Sequence, residues 1–175
     1  MNVLSSVRTL IPPPSFLQLP SIGVDISDTS LKYVQFKPSR LPGHRLHVST
    51  WGDIDIPEGV LKRGIVNDVK QLSQVIARVR EETEVPMVRV SLPEERAYLF
   101  ETEIKKDTPQ KEVRGLVEFR LEENVPLSPR DAFFDYQIID DPLRDDVMRV
   151  SVTVYARETI MNYFEACVAA EVIPL

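Results

Sequence analysis

The chain has 175 residues, 43% apolar and 27% charged, enough for one ordinary core or two small ones in a water-soluble protein. Its formal net charge of -6 offers no basic face for nucleic acid and no attraction to an anionic lipid surface. The single cysteine, Cys167, excludes an intramolecular disulfide and fits a reducing compartment, and no apolar run approaches the ~20 residues that span a bilayer.

Residues 1–20 read as a flexible, proline-rich leader. Arg8 has no apolar segment and small-residue cleavage site with it, so this is not a secretory signal. Leu4, Val7, Leu10 and Ile11 would line one face of a short helix, which Pro12-Pro13-Pro14 stops. Strand character begins at Ile22. Ile22-Gly23-Val24-Asp25 is a short buried strand ending in a carboxylate; a polar turn through Ser27-Asp28-Thr29-Ser30 follows, then the alternating Leu31-Lys32-Tyr33-Val34-Gln35-Phe36. Pro42-Gly43 punctuates a turn, and a third strand over about 44–53 carries Leu46, Val48 and Trp51. Asn67 or Asp68 caps an amphipathic helix over 68–83, with Val69, Leu72, Val75, Ile76 and Val79 in one stripe. A strand over 87–92 follows Pro86. The first module, 21–92, is β-β-β-α-β.

Pro93-Glu94-Glu95 marks a boundary to a second module, 93–175. Ala97–Ile104 is a strand. Thr108 is placed to cap a helix with Pro109 first inside it, and Val113, Leu116, Val117 and Leu121 form its buried stripe. Phe134, Tyr136 and Ile138 alternate on a second strand, 140–146 is an acidic turn, and Met148, Val150, Val152 and Val154 alternate on a third. A last helix spans 157–171, with Ile160, Tyr163, Phe164, Cys167 and Val168 inward. The chain shows no internal repeat.

The segment Asp25-Ile26-Ser27-Asp28-Thr29-Ser30-Leu31-Lys32 resembles the first phosphate loop of actin-like proteins, Asp-x-Gly-[Ser/Thr]-x-x-x-Lys. Three further stretches join it: Gly64-Ile65-Val66-Asn67-Asp68; Glu112 through Leu127 with Asp135-Tyr136-Gln137; and Val154-Tyr155-Ala156-Arg157-Glu158. In this order and spacing the chain resembles the N-terminal half of the PilM family of type IV pilus assembly proteins, cytoplasmic relatives of FtsA, over about 20–175. The resemblance implies an α/β fold: half of an actin-like (ribonuclease H-like) domain, with 21–92 as subdomain 1A and an inserted strand-helix-strand-strand subdomain 1C after it. It also implies a second half that this chain does not contain, which supplies the other wall of the nucleotide cleft.

By the same resemblance Asp25 would hold a magnesium ion through water, Thr29 and Ser30 would offer hydroxyls, and Lys32 would pair with phosphate. Ser27 stands where the family has glycine, whose missing side chain admits the phosphates, and Asp28 stands where it has a small hydroxyl residue. A carboxylate about 4 Å from a phosphate charge costs about 1 kcal/mol in water and about 4 kcal/mol at an effective dielectric of 20. The segment therefore reads first as a polar hairpin turn. No cofactor is expected for this chain, with Mg-ATP implied only if a second half is present.

Other candidates are bland. His44 and His47 lack partners for a zinc site, Glu101 and Glu103 lie on a solvated strand face, and Cys167 has no histidine near it in sequence. No triad of nucleophile, base and carboxylate is visible; the resemblance implies that both walls of a peptide groove are encoded here while the nucleotide cleft is not, which points to binding rather than catalysis. The resemblance implies a groove between 1A and 1C that receives the cytoplasmic tail of a bitopic PilN-like protein, as an extended peptide beside a sheet edge. Leu92, Arg96 and Tyr98 at the module boundary are the candidate peptide contacts. The other readings are an actin-like Mg-ATP binder or ATPase and an FtsA-like division protein, the latter without a C-terminal amphipathic helix in this chain. Self-association or a separate C-terminal half would cover an exposed half-cleft. Residence in the cytoplasm, peripheral to the inner membrane through a partner and without direct insertion, completes the expectation.

Overall fold

The computed structural model describes residues 20–38, 46–139 and 146–175. Residues 1–19 of the leader, the Pro42-Gly43 turn with His44, and residues 140–145 of the acidic turn lie outside the described residues.

The apolar alternation of the first module builds β1 (Ile22–Ile26), β2 (Ser30–Pro38) and β3 (Leu46–Asp55), three antiparallel neighbours. A two-stranded hairpin, β4 (Leu61–Lys62) and β5 (Ile65–Val66), leads to α1 (Val69–Thr83). Asp68 is the residue that caps this helix: its Oδ1 accepts the Gln71 N–H at 2.8 Å, satisfying one of the donors that a helix start leaves free. β6 (Met87–Ser91) then runs parallel to β1.

A 3-10 turn, Glu94–Arg96, carries the chain into β7 (Tyr98–Lys105), α2 (Gln110–Asn124), β8 (Ala132–Ile139) and β9 (Val147–Ala156). These make a separate sheet ordered β7-β9-β8. Val150, Val152 and Val154 of its central strand are buried beneath Val113, Val117 and Leu121 of α2. Two details differ from expectation. Pro109, not Thr108, is the residue before the first helical position, and no side chain caps this helix; the Thr108 N–H goes to the Lys105 carbonyl instead. Leu116 is exposed, because three inward residues already fill the arc that faces the sheet.

The chain then returns. α3 (Arg157–Ala169) and β10 (Ile173–Pro174) follow the second module in sequence but belong to the first in space. Tyr163, Ala166, Cys167, Ala170 and Val172 join the core of Ile22, Leu31, Leu72, Ile76 and Val88, and β10 pairs parallel with β6. Residues 157–175, grouped with the second module by the linear pattern, thus complete a five-stranded sheet ordered β10-β6-β1-β2-β3. Phe164 and Val168 are exposed, contrary to expectation. The inward arc of α3 is made instead by Tyr163 and by small residues that sit close on the core. Burial pushes the Cys167 thiol up to about 11, so it behaves as a small apolar side chain.

Both α1 and α3 contribute to one core on one face of the five-stranded sheet. The other face alternates with it and carries Asp25, Lys32, Phe36, Val48 and Trp51, all exposed. Among the described residues no helix is long and apolar enough to cross a membrane.

Candidate functional site

The opening loop closes on itself. Ser27 Oγ donates to the Ser30 carbonyl at 2.9 Å and accepts the Ser30 N–H at 3.2 Å, while Ser27 N–H reaches the same carbonyl at 2.9 Å. The Thr29 carbonyl accepts the Ile56 N–H at 2.9 Å, fixing the loop to the end of β3. Asp28 turns away from the loop altogether: Oδ2 accepts the Arg63 N–H at 2.6 Å and Oδ1 the Gly64 N–H at 3.0 Å. A phosphate cradle needs backbone N–H groups aimed outward and no intervening side chains. Ser27, Asp28 and Ser30 do not fit one, and no phosphate step follows from them. Asp25 and Lys32 stand opposite each other in register across β1 and β2. They flank a hollow of about 430 Å³ on the open sheet face, with Gly23, Val34, Arg89 and Ser91. Thr29 is exposed at the tip of the turn.

The second constellation is the junction between the sheets. The β4–β5 turn places Arg63 and Gly64 at φ +50° and +70°, the left-handed region where glycine is favoured. Each polar backbone group of this pair is used, and on three different elements. The two N–H groups meet Asp28. The Arg63 carbonyl accepts Arg96 Nε at 2.5 Å, and the Gly64 carbonyl accepts the Tyr163 hydroxyl of α3 at 3.0 Å. The Pro93 carbonyl accepts the Tyr155 hydroxyl of β9 at 3.3 Å. Gly64 is also a steric requirement: a Cβ there would lie 2.9 Å from Pro93 Cβ and 3.0 Å from Arg96 Cγ. Burial, and then the Asp28 carboxylate, hold the Tyr163 hydroxyl well above the ordinary phenol range, so it is a neutral donor.

The three boundary residues divide by role in this geometry. Leu92 is half-buried against the first core. Arg96 is bound to the Arg63 carbonyl, an internal tie. Tyr98 is exposed, and so is Leu99 beside it, at the start of β7, an edge strand of its sheet. Arg63, Gly64, Pro93 and Tyr163 are junction residues that the sequence patterns do not single out as a site. The available signal is Lys62-Arg63-Gly64, a polar pair ending in glycine between apolar residues, which marks a tight hairpin. On the outer face of the second sheet Arg149 Nη2 meets Glu101 Oε2 at 2.6 Å, and the Arg157 guanidinium lies 4.0 Å from the Phe133 ring centre.

The sequence matches no protein-family model and no curated protein. The fold does match solved structures. A chain of a PilM-PilN type IV pilus biogenesis complex aligns with 89% of this chain at a TM-score of 0.77 and 21% identity. The cytoplasmic domain of EpsL, an inner-membrane component of the type II secretion system of Vibrio cholerae, aligns with 87% at a TM-score of 0.54 and 12% identity. The chain spans about half of each, 46% and 53% of their lengths. The architecture is therefore that of a PilM-like, actin-like half domain carrying an inserted three-stranded module.

Proposed function

We propose that this chain is a cytoplasmic scaffold of a type IV pilus or related secretion assembly at the inner membrane, holding the tail of a PilN-like bitopic protein at the junction of its two sheets. The observation that carries the reading is the joint arrangement of both sheets about the 63–64 turn, in a fold matched over 89% of the chain by a protein from a PilM-PilN complex. The junction supplies what a tail needs. β7 has an open edge for main-chain hydrogen bonds, and Tyr98 and Leu99 give exposed apolar surface where that edge begins. Titrating the chain with the N-terminal peptide of the partner should give saturable binding that Tyr98→Ala weakens about tenfold, the range of a contact worth just over 1 kcal/mol. Absence of binding at high micromolar peptide refutes the proposal.

The rival reading is an actin-like Mg-ATP binder with Asp25 on the metal side and Lys32 toward phosphate. It is supported by the shared hollow of Asp25, Lys32 and Arg89 and opposed by the closure of Ser27 on Ser30 within the loop and by Asp28, which turns away to the Arg63 and Gly64 amides. Calorimetry that detects Mg-ATP binding abolished by Asp25→Ala would reverse the order of the two.

A further inference from the structure

The Arg63–Gly64 turn presents two consecutive N–H groups to a single carboxylate, at 2.6 and 3.0 Å. Successive amides converging in this way form a concave anion site, because their dipoles add at one point. The carboxylate comes from a residue 35 positions away, so local turn chemistry does not account for it. The same turn passes its carbonyls to Arg96, in the segment that leaves the first module, and to Tyr163, in the helix that returns to it. An anion bound at 63–64 thereby fixes both crossings between the modules.

We propose that the Arg63–Gly64 turn is a two-amide carboxylate site with Asp28 as its resident ligand, and that Asp28 acts through it as a positioning residue for the junction. Its carboxylate leaves the β1–β2 loop from which it projects and meets the Arg63 and Gly64 amides instead. The effect on the tail rests on the function proposed above; the anion site does not.

Amide hydrogen exchange on the full chain tests both. In Asp28→Ala the Arg63 and Gly64 amides lose their acceptor and exchange about tenfold faster or more, and Arg96 and Ala97 follow as the outgoing turn loosens. Adding acetate restores protection at 63 and 64, while chloride at the same ionic strength does not. Asp28→Asn retains one acceptor oxygen and gives an intermediate rate. The tail's dissociation constant rises several-fold in Asp28→Ala and recovers with acetate, a response that general destabilisation would not produce. Unchanged exchange at Arg63 and Gly64 in Asp28→Ala overturns the proposal, as does faster exchange that acetate leaves untouched. If the unmodified chain binds no tail, the reading of function fails while the exchange data still decide the anion site.

Discussion

Replacing Gly64 by alanine separates two costs that are usually entangled. The first is conformational: a non-glycine residue held in the left-handed region costs roughly 1–2 kcal/mol. The second is steric: the new Cβ would sit 2.9 Å from Pro93 Cβ and 3.0 Å from Arg96 Cγ. Pro93 cannot swing aside, since its ring is part of the backbone. Its carbonyl also takes the Arg96 N–H at 3.2 Å and the Tyr155 hydroxyl at 3.3 Å. Forced overpacking of this kind costs about 1–3 kcal/mol, so Gly64→Ala should lose about 2–5 kcal/mol in all, a large share of the ~5–15 kcal/mol available to a domain. Gly59 supplies the control. It has φ +86° and nothing within 4 Å of the point a Cβ would occupy, so Gly59→Ala bears the backbone cost alone. Urea unfolding of the two variants side by side gives the steric part as a difference. If they unfold within about 0.5 kcal/mol of each other, below that overpacking range, the 63–64 turn is not clamped against Pro93 and the account of the junction is wrong.

Gly115 lies inside α2 with open space around its Cβ direction, so Gly115→Ala should stabilise by about 0.5–1 kcal/mol, read as a higher urea midpoint. The Tyr33 hydroxyl donates to Glu82, and that bond, then burial, then the Glu82 charge raise the phenol to about 12 from an ordinary 10. The folded state holds this proton more tightly, so its contribution is complete below pH 10 and is lost as pH rises through 12. Tyr33→Phe should remove that part of the alkaline loss of melting temperature. It should also cost about 1.5–3 kcal/mol near neutrality, the range of a hydrogen bond to a charged group. An alkaline profile that keeps its shape in Tyr33→Phe contradicts the assignment. Leu121 is fully buried in the second core, so Leu121→Ala should cost about 2–5 kcal/mol and raise amide exchange in β7, β8 and β9. Equal loosening of β1 and β6 would show that the two cores unfold as one.

Periodicity made most of the two sheets readable. The alternation from Met148 to Val154 and the helical stripe from Leu72 to Val79 each describe most of a buried face, because large apolar residues fill it; Ser73 is buried beside the helical stripe unread, and Met148 is half-buried. The same rule misplaced Phe164 and Val168, since the close approach of α3 to its core is made by Ala166 and Ala170, which carry little apolar signal. The return of 157–175 to the first sheet is a matter of topology, and a linear pattern does not encode it. In the candidate site, the oddity of Ser27 and Asp28 was visible against the expected loop, but the destination of Asp28 was not. Its partners are backbone amides, which every residue but proline possesses and no letter of the sequence distinguishes. Of the three boundary residues that the sequence offers, Leu92 packs against the first core, Arg96 is tied to the Arg63 carbonyl, and Tyr98 is exposed together with Leu99.

The face of the five-stranded sheet that no other described residues cover carries the chain's only tryptophan, Trp51, 75% exposed on edge strand β3. That gives the protein a built-in optical probe of one surface and no other. In the isolated chain its emission should be red and open to aqueous quenchers. Whatever comes to lie on that face, whether another copy or a further polypeptide, would blue-shift and shield it without any label. A tail bound at the junction that leaves the indole signal unchanged would occupy a different surface, so a single fluorescence titration separates occupancy of the junction from coverage of the sheet.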